Sequence, residues 1–242
     1  MPGLDWLTAR PIAHRGLHDA AQGVVENTQS AFNAAVAGHY AIECDLQLSA
    51  DGEAMVFHDD TLDRLTERTG ALATLTASEL KTVSFKATSD RMITLGELCD
   101  LVAGRVTLVL EVKSHFTGDM RLTERVAAVL QGYAGPVAAM SFDPAIVGGL
   151  QMMAPGLPRG LVARSRPDPE VPSGNSFRYA MDAVRARPHF LAWSVQDLAG
   201  FWPILGRWGF GLPLLTWTVR SEADRLRAGR WADQMIFEGF RP

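Results

Sequence analysis

Residues 41–48 read Ala-Ile-Glu-Cys-Asp-Leu-Gln-Leu. The stretch has the length of a buried strand and carries two acids among apolar neighbours. On a strand, residues two apart point to the same face. Glu43 and Asp45 therefore point together, and Cys44 points the other way, toward a covering layer of helices. Two carboxylates side by side repel, and burying them unpaired is costly. A hard divalent cation such as Mg2+ or Ca2+, with its preference for oxygen ligands, resolves that repulsion. A solvated or salt-bridged pair on an edge strand is the plainer alternative. The apolar neighbours Ala41, Ile42, Leu46 and Leu48 favour the buried site.

Seven further runs of strand length lie on either side of this one: PIAHRG from Pro11, RVTLVLEVK from Arg105, PVAAMSF from Pro136, PRGLVA from Pro158, HFLAWSV from His189, LPLLTWTV from Leu212 and QMIFEGF from Gln234. Short apolar runs bounded by turn residues suit strands buried on both faces. Amphipathic stretches separate most of them and carry helix signals. Asn27 or Thr28 can cap a helix through Ala37, and Thr94 can cap one ending near Gly104. Asp143 precedes a proline at the first helical position, and Ser221 with Asp224 resembles a capping box. Strands alternating with helices imply a parallel sheet, and eight such units imply a closed (β/α)8 TIM-type barrel.

Two places break the rhythm. Residues 59–91, rich in Thr, Asp and Lys, are expected to form a small insertion after the second strand. Residues 163–176, rich in proline, read as a loop. The sequence ends at Pro242, so no helix is expected after the eighth strand. The opening GLDWLTAR is expected to cover the bottom of the barrel instead. One barrel domain over residues 1–242 is the organisation this implies.

Of the 242 residues, 47% are hydrophobic, enough for a sizeable core. A formal net charge of −4 gives no electrostatic reason to expect nucleic acid or an anionic membrane as partner. The two cysteines, Cys44 and Cys99, have no metal-type spacing and are too few for a disulfide framework. The N-terminus lacks the basic-then-apolar pattern of a signal peptide. No stretch approaches the roughly 18 apolar residues that a membrane span needs. A soluble, cytoplasmic protein is the expectation.

The chemistry-bearing residues are spread over several runs. In LVLEVKS, Glu111 and Lys113 share a face, so Glu111 can complete a metal site and Lys113 can bind a phosphate oxygen. An internal ion pair is the equal alternative. His14 and Arg15 end the first run. Histidine suits proton transfer near neutral pH, arginine suits bidentate phosphate binding, and Gly16 lets the chain turn close to a ligand. His58 in MVFHDD is a second acid/base candidate. Trp217 in LLTWTV is either core or a surface for a substrate's carbon skeleton. His18, His39, His115 and His189 read as structural or solvated, and Phe201, Trp202, Trp208 and Phe210 read as ordinary core. Seen singly, most of these residues have a bland structural explanation. Barrel active sites, however, collect at the C-terminal ends of the strands, where His14, Glu43, Asp45, Glu111, Lys113 and Trp217 all fall. Acids, bases and cations at one mouth describe metal-assisted phosphoryl chemistry.

In order and spacing, IAHRG at residues 12–16, ENT at 26–28, IECDL at 42–46 and DGEAMVFHDDTLDRLTERTG at 51–70 resemble the N-terminal signature of the glycerophosphodiester phosphodiesterases. That family is similar to the wider superfamily of phosphatidylinositol-phospholipase C-like phosphodiesterases. LEVK at 110–113, Ser141-Phe142 and TWTV at 216–219 extend the resemblance over nearly the whole chain. It implies a TIM-type barrel with a small insertion after the second strand. It further implies metal ligands at Glu43, Asp45 and Glu111, a general acid/base pair at His14 and His58, phosphate contacts from Arg15 and Lys113, and Trp217 near the glycerol. The implied cofactor is one divalent cation, and the implied reaction is hydrolysis of a glycerophosphodiester to glycerol 3-phosphate and an alcohol. A route through a cyclic phosphate formed by a substrate hydroxyl also fits. Three positions depart from the pattern: Val25 replaces the usual proline before ENT, Leu65 interrupts the paired threonines after Arg64, and IFEGF stands where Thr-Asp is common. A lysophospholipase D acting on acylated substrates shares the same site. A catalytically inert phosphodiester-binding barrel would need no acid/base pair.

Overall fold

A computed structural model describes residues 3–165 and 176–242. Among the described residues, nine strands form one sheet: β1 (Ile12–Ala13), β2 (Ala41–Leu48), β3 (Ala54–Val56), β4 (Leu108–Val112), β5 (Val137–Ser141), β6 (Arg159–Ala163), β7 (Phe190–Ser194), β8 (Leu214–Val219) and β9 (Gln234–Phe237). All but β3 run parallel in sequence order. The ring closes where Ile12 pairs with Ile236 on one side and with Ala41 on the other. This is the expected (β/α)8 barrel. Helices α1 (Gln29–Ala37), α2 (Leu95–Val102), α3 (Arg121–Leu130), α4 (Pro144–Met153), α5 (Ser176–Ala186) and α6 (Glu222–Trp231) connect the strands. Most of the loop expected over residues 163–176 lies outside the described residues.

Alternation along the strands builds two cores. Ile42, Cys44 and Leu46 of β2 join Leu108, Leu110 and Val112 of β4 in the layer beneath the helices. Ala41, Val109, Ala138, Val162, Phe190, Leu215 and Ile236 fill the barrel interior. Gly160 belongs to that interior by necessity, because a Cβ there would sit 2.2 Å from the Phe190 ring. The opening segment closes the bottom as expected. Its one-turn helix Asp5–Thr8 buries Leu7 completely among the interior residues. The Thr8 carbonyl accepts a bond from Gln234 Nε2 at 2.8 Å, at the start of β9.

The helix caps follow the sequence with two adjustments. Thr94 and Glu97 form a full capping box, and Asp143 accepts from Ala145 N–H with Pro144 at the first position. Thr28 is the cap of α1, but its hydroxyl donates to the Val25 carbonyl and accepts nothing from the helix. At α6 only half a box forms: Ser221 accepts from Asp224 N–H, while the Asp224 carboxylate takes the Arg220 N–H.

The insertion begins earlier than residue 59. Strand β1 is two residues long, so it leaves the upper part of β2 without a partner. β3 fills that edge antiparallel, pairing Leu46 with Val56 and Leu48 with Ala54. An exposed ladder edge is a liability that a short added strand removes. The segment beyond carries its own small core of Phe57, Leu62, Leu72, Leu80 and Phe85 over Met55. The exposed aromatics require a correction. Phe201, Trp202, Trp208 and Phe210 are 57–71% exposed, outside either core. They sit on a helical stretch after β7 whose second half is π-helical, over Leu205–Gly209. Phe201 and Trp202 lie in the α-helical half, Phe201–Ile204, and Trp208 and Phe210 in or just after the π-helical half.

Candidate active site

Register across β2 and β4 creates the centre of the site. Asp45 is the direct partner of Glu111 on the neighbouring strand, and Glu43 lies two residues before Asp45 on the same face. Ligand oxygens of Glu43, Asp45 and Glu111 all fall within 4.8 Å of one another, and all three residues are buried. Glu43 Oε2 accepts the Arg15 N–H at 3.0 Å, while its buried Oε1 has no hydrogen-bond partner. Burial, and then the charges of Asp45 and Glu111, push the Glu43 carboxyl well above the usual carboxylate range.

The cations of the site sit directly against these acids. Lys113 Nζ lies 2.9 Å from Asp45 Oδ1 and 2.6 Å from Glu111 Oε1. Arg15 Nε lies 3.2 Å from Asp45 Oδ2. Burial disfavours the charged forms, but Asp45 and Glu111 outweigh it and hold the Lys113 ammonium above its ordinary range. Burial likewise opposes ionisation of Asp45, and Lys113 and Arg15 reverse the balance, so its carboxyl stays charged.

A tight turn sets Arg15 in place. Arg15 and Gly16 both have positive φ, 55° and 80°, and a Cβ at Gly16 would meet the Ala31 backbone at 2.9 Å. The following ENT segment then closes on the site. Arg15 Nη1 donates to Glu26 Oε1 at 2.7 Å, and Asn27 Nδ2 donates to Asp45 Oδ2 at 2.9 Å. Asn27 is a missed member of the site. Its signal was its place in ENT combined with the backbone, since it holds φ at 56°, which asparagine tolerates better than most residues.

Each catalytic candidate histidine is held at Nδ1 by a carboxylate. His14 Nδ1 lies 2.5 Å from Glu238 Oε2, and its Nε2 is 4.0 Å from Glu43. His58 Nδ1 lies 2.7 Å from Asp59 Oδ1. An Nδ1–H donated to a carboxylate leaves Nε2 as the free nitrogen. Burial lowers His14 below its ordinary value, against the raising effect of the Glu238 hydrogen bond. Burial works against Glu238 as well, but the hydrogen bonds from His14 and Arg220 hold its carboxyl well below the usual range. His18 lies at the rim of the site, 3.8 Å from Glu238. Asp59 was missed as a holder of His58, and Glu238, which stands out in the sequence only as a departure from the family's Thr-Asp, was missed as a holder of His14 because it lies 224 residues away.

These groups open into a cavity of about 500 Å3 lined by His14, Arg15, Glu43, His58, Glu111 and Lys113 on one side. Phe142, Arg164, Gln196, Trp217 and Arg220 line the other. Trp217 donates its indole N–H to the Ala192 carbonyl at 3.1 Å, and Phe142 packs edge-on against its ring at 5.4 Å. The ring is thus fixed in the wall of the cavity. The eight residues singled out from the sequence, His14, Arg15, Glu43, Asp45, His58, Glu111, Lys113 and Trp217, converge at the C-terminal mouth of the barrel. The donor set fits a hard divalent cation: three carboxylates converge, and one has a buried oxygen without a partner.

The chain is thus a closed parallel barrel with carboxylates, histidines and cations clustered at its mouth. The sequence model of the glycerophosphoryl diester phosphodiesterase family matches residues 14–240, and the chain belongs to that family. A glycerophosphodiester phosphodiesterase of Caldanaerobacter subterraneus is 33% identical over 161 residues, 62% of this chain and 65% of that protein. The match thus spans just under two thirds of that relative's length. The fold superposes on a phosphodiesterase of Oleispira antarctica solved with its product sn-glycerol-3-phosphate, with a TM-score of 0.79 and 20% identity over 96% of this chain and 94% of that one. It also superposes on the glycerophosphodiester phosphodiesterase of Thermotoga maritima, with a TM-score of 0.72 and 22% identity over 93% and 92%. Among the described residues, no helix is long and apolar enough to cross a membrane.

Proposed function

We propose that this protein is a metal-dependent glycerophosphodiester phosphodiesterase that releases glycerol 3-phosphate and an alcohol. The observation that carries the reading is the buried Glu43, Asp45 and Glu111 cluster opening into the same cavity as His14 and His58. Glu43, Asp45 and Glu111 would hold one divalent cation, Mg2+ or Ca2+. When bound, it supplies Lewis-acid stabilisation of charge on the phosphate. Arg15 and Lys113 bind the phosphate oxygens. The Nε2 atoms of His14 and His58 carry protons, one taking a proton from the attacking water and the other protonating the leaving alkoxide. Trp217 packs against the glycerol carbons. The reading takes residues 1–242 as one barrel domain. It places the protein in the cytoplasm, a location supported by two buried, unbridged cysteines.

The test is incubation with a panel of glycerophosphodiesters, glycerophosphocholine among them, with and without chelator, measuring glycerol 3-phosphate. Release that chelator abolishes and added Mg2+ or Ca2+ restores is the expected result. No metal-dependent release from any member of the panel would sink the reading. The four exposed aromatic rings from Phe201 to Phe210 favour one second reading, a lysophospholipase D that admits an acyl chain. Turnover of lysophosphatidylcholine at a rate above that of glycerophosphocholine would select it.

A further inference from the structure

The insertion after β2 contributes one group to which no role has been given, Arg64. Its Nε and Nη2 donate to Asp59 Oδ2 and Oδ1 at 2.6 and 2.9 Å. Its Nη1 and Nη2 donate to Glu26 Oε2 and Oε1 at 2.9 and 2.7 Å. Each of these carboxylates also holds a residue of the site through the oxygen it shares with Arg64 Nη2. Asp59 Oδ1 faces His58 Nδ1 at 2.7 Å, and Glu26 Oε1 accepts from Arg15 Nη1 at 2.7 Å. One guanidinium therefore ties together the two carboxylates that orient the histidine and the arginine.

The geometry points to Arg64 as a positioning residue that sets His58 and Arg15 relative to one another, an inference that rests on the function proposed above. Without the guanidinium, Glu26 and Asp59 face each other as like charges and separate. Asp59 then loses its hold on His58, and Glu26 its hold on Arg15. Lysine substitutes only in part, because a single ammonium does not match two carboxylates with the planar fork of arginine. The base of the residue is rigid: Leu62 is fully buried in the core of the insertion, and Thr66 Oγ1 donates to the Leu62 carbonyl at 2.9 Å. The head is open, with the Arg64 side chain 47% exposed. Glu26 and Asp59 are mostly buried, but the half-exposed guanidinium lets solvent screen the pairs and Arg15 still pairs with Glu26, so this network acts on the geometry of the site more than on the stability of the fold.

Arg64→Ala and Arg64→Lys test this on whichever glycerophosphodiester the wild type hydrolyses fastest. Arg64→Ala should lower kcat/KM about 10–100-fold, the usual cost of removing a group that orients an active-site residue. Its Tm should stay within about 4 °C of wild type. Millimolar guanidinium should restore part of the lost rate, and Arg64→Lys should fall between the two. Wild-type turnover by Arg64→Ala overturns the inference. So does a loss without guanidinium rescue that is accompanied by a collapse of Tm, since that is a purely structural role. The imidazole 1H–15N spectrum of His58 gives a readout that needs no turnover. Wild type should show one Nδ1–H tautomer, and Arg64→Ala a mixture. An unchanged spectrum overturns the inference even if the wild type hydrolyses nothing, an outcome that would by itself count only against the proposed function.

Discussion

Glu238 Oε2 lies 2.5 Å from His14 Nδ1, joining the end of the last strand to the end of the first across the barrel's closure. The opposite oxygen of Glu238 is held by Arg220 Nε at 2.5 Å. The carboxylate is thus fixed from behind while it fixes the imidazole in front. Glu238→Ala should lower kcat about 10–100-fold and leave KM nearly unchanged, because the phosphate contacts of Arg15 and Lys113 remain. The Glu238 hydrogen bond is a raising influence on His14, so the imidazole of the variant should titrate lower still. Steady-state kinetics and an NMR titration of His14 check both outcomes. An unaltered kcat removes Glu238 from the site.

The raised carboxyl of Glu43 gives a stability prediction with a definite sign. A carboxyl whose pKa is higher folded than unfolded subtracts stability once pH rises above its unfolded value. The metal-free protein therefore carries a penalty at neutral pH that Glu43→Gln, a neutral isostere, relieves. The variant should melt higher than wild type in chelator above about pH 4.5, near the unfolded glutamate value, and the two curves should converge below it. With a divalent cation the order should reverse. Ligand at a hundredfold excess over its Kd adds about 2.7 kcal/mol to wild type, and the variant has lost a ligand. Differential scanning fluorimetry across pH, with chelator or Mg2+, measures this. A variant that melts below wild type in chelator at pH 7 refutes it.

How much of this was legible beforehand depended on the range of the interactions involved. The strand positions of Glu43, Asp45 and Glu111 follow from period-2 alternation and apolar flanks, both local signals. Pairing Asp45 with Glu111 needs only the order of parallel strands. The carboxylate behind His14 is different. Glu238 reaches His14 from 224 residues away, a closure contact that no local pattern encodes. Strand β3 was missed because a three-residue segment, Ala54–Val56, carries too little alternation to register. The aromatic stretch at Phe201–Phe210 was misread because its composition suits a core, while its rings are exposed.

The caps offer a test at the level of local structure. Thr94 closes both halves of its box, accepting from Glu97 N–H while Glu97 Oε2 accepts the Thr94 N–H at 2.9 Å. Ser221 closes one half only. Thr94→Ala should cost about 1 kcal/mol, lowering Tm by about 2–4 °C for a chain of this size. Ser221→Ala should cost less. Urea melts of both variants compare them, and a larger loss at Ser221 would contradict the ranking.

The barrel interior gives the sharpest packing test. Gly160 pairs with Phe190 across β6 and β7, and a Cβ at Gly160 would approach the Phe190 ring carbons to 2.2 Å. Phe190 is completely buried among Leu7, Val162, Leu215 and Ile236, so its ring has no open space to enter. Gly160→Ala must therefore move backbone or force strained rotamers, at a cost of about 1–3 kcal/mol. Elsewhere in a strand the same substitution would stabilise, because alanine loses less conformational freedom on folding. Phe190→Leu should recover part of the loss in the Gly160→Ala background while destabilising the wild type, a coupling that a double-mutant cycle isolates. Additive effects of the two substitutions would show that the ring and the missing Cβ do not compete for the same space.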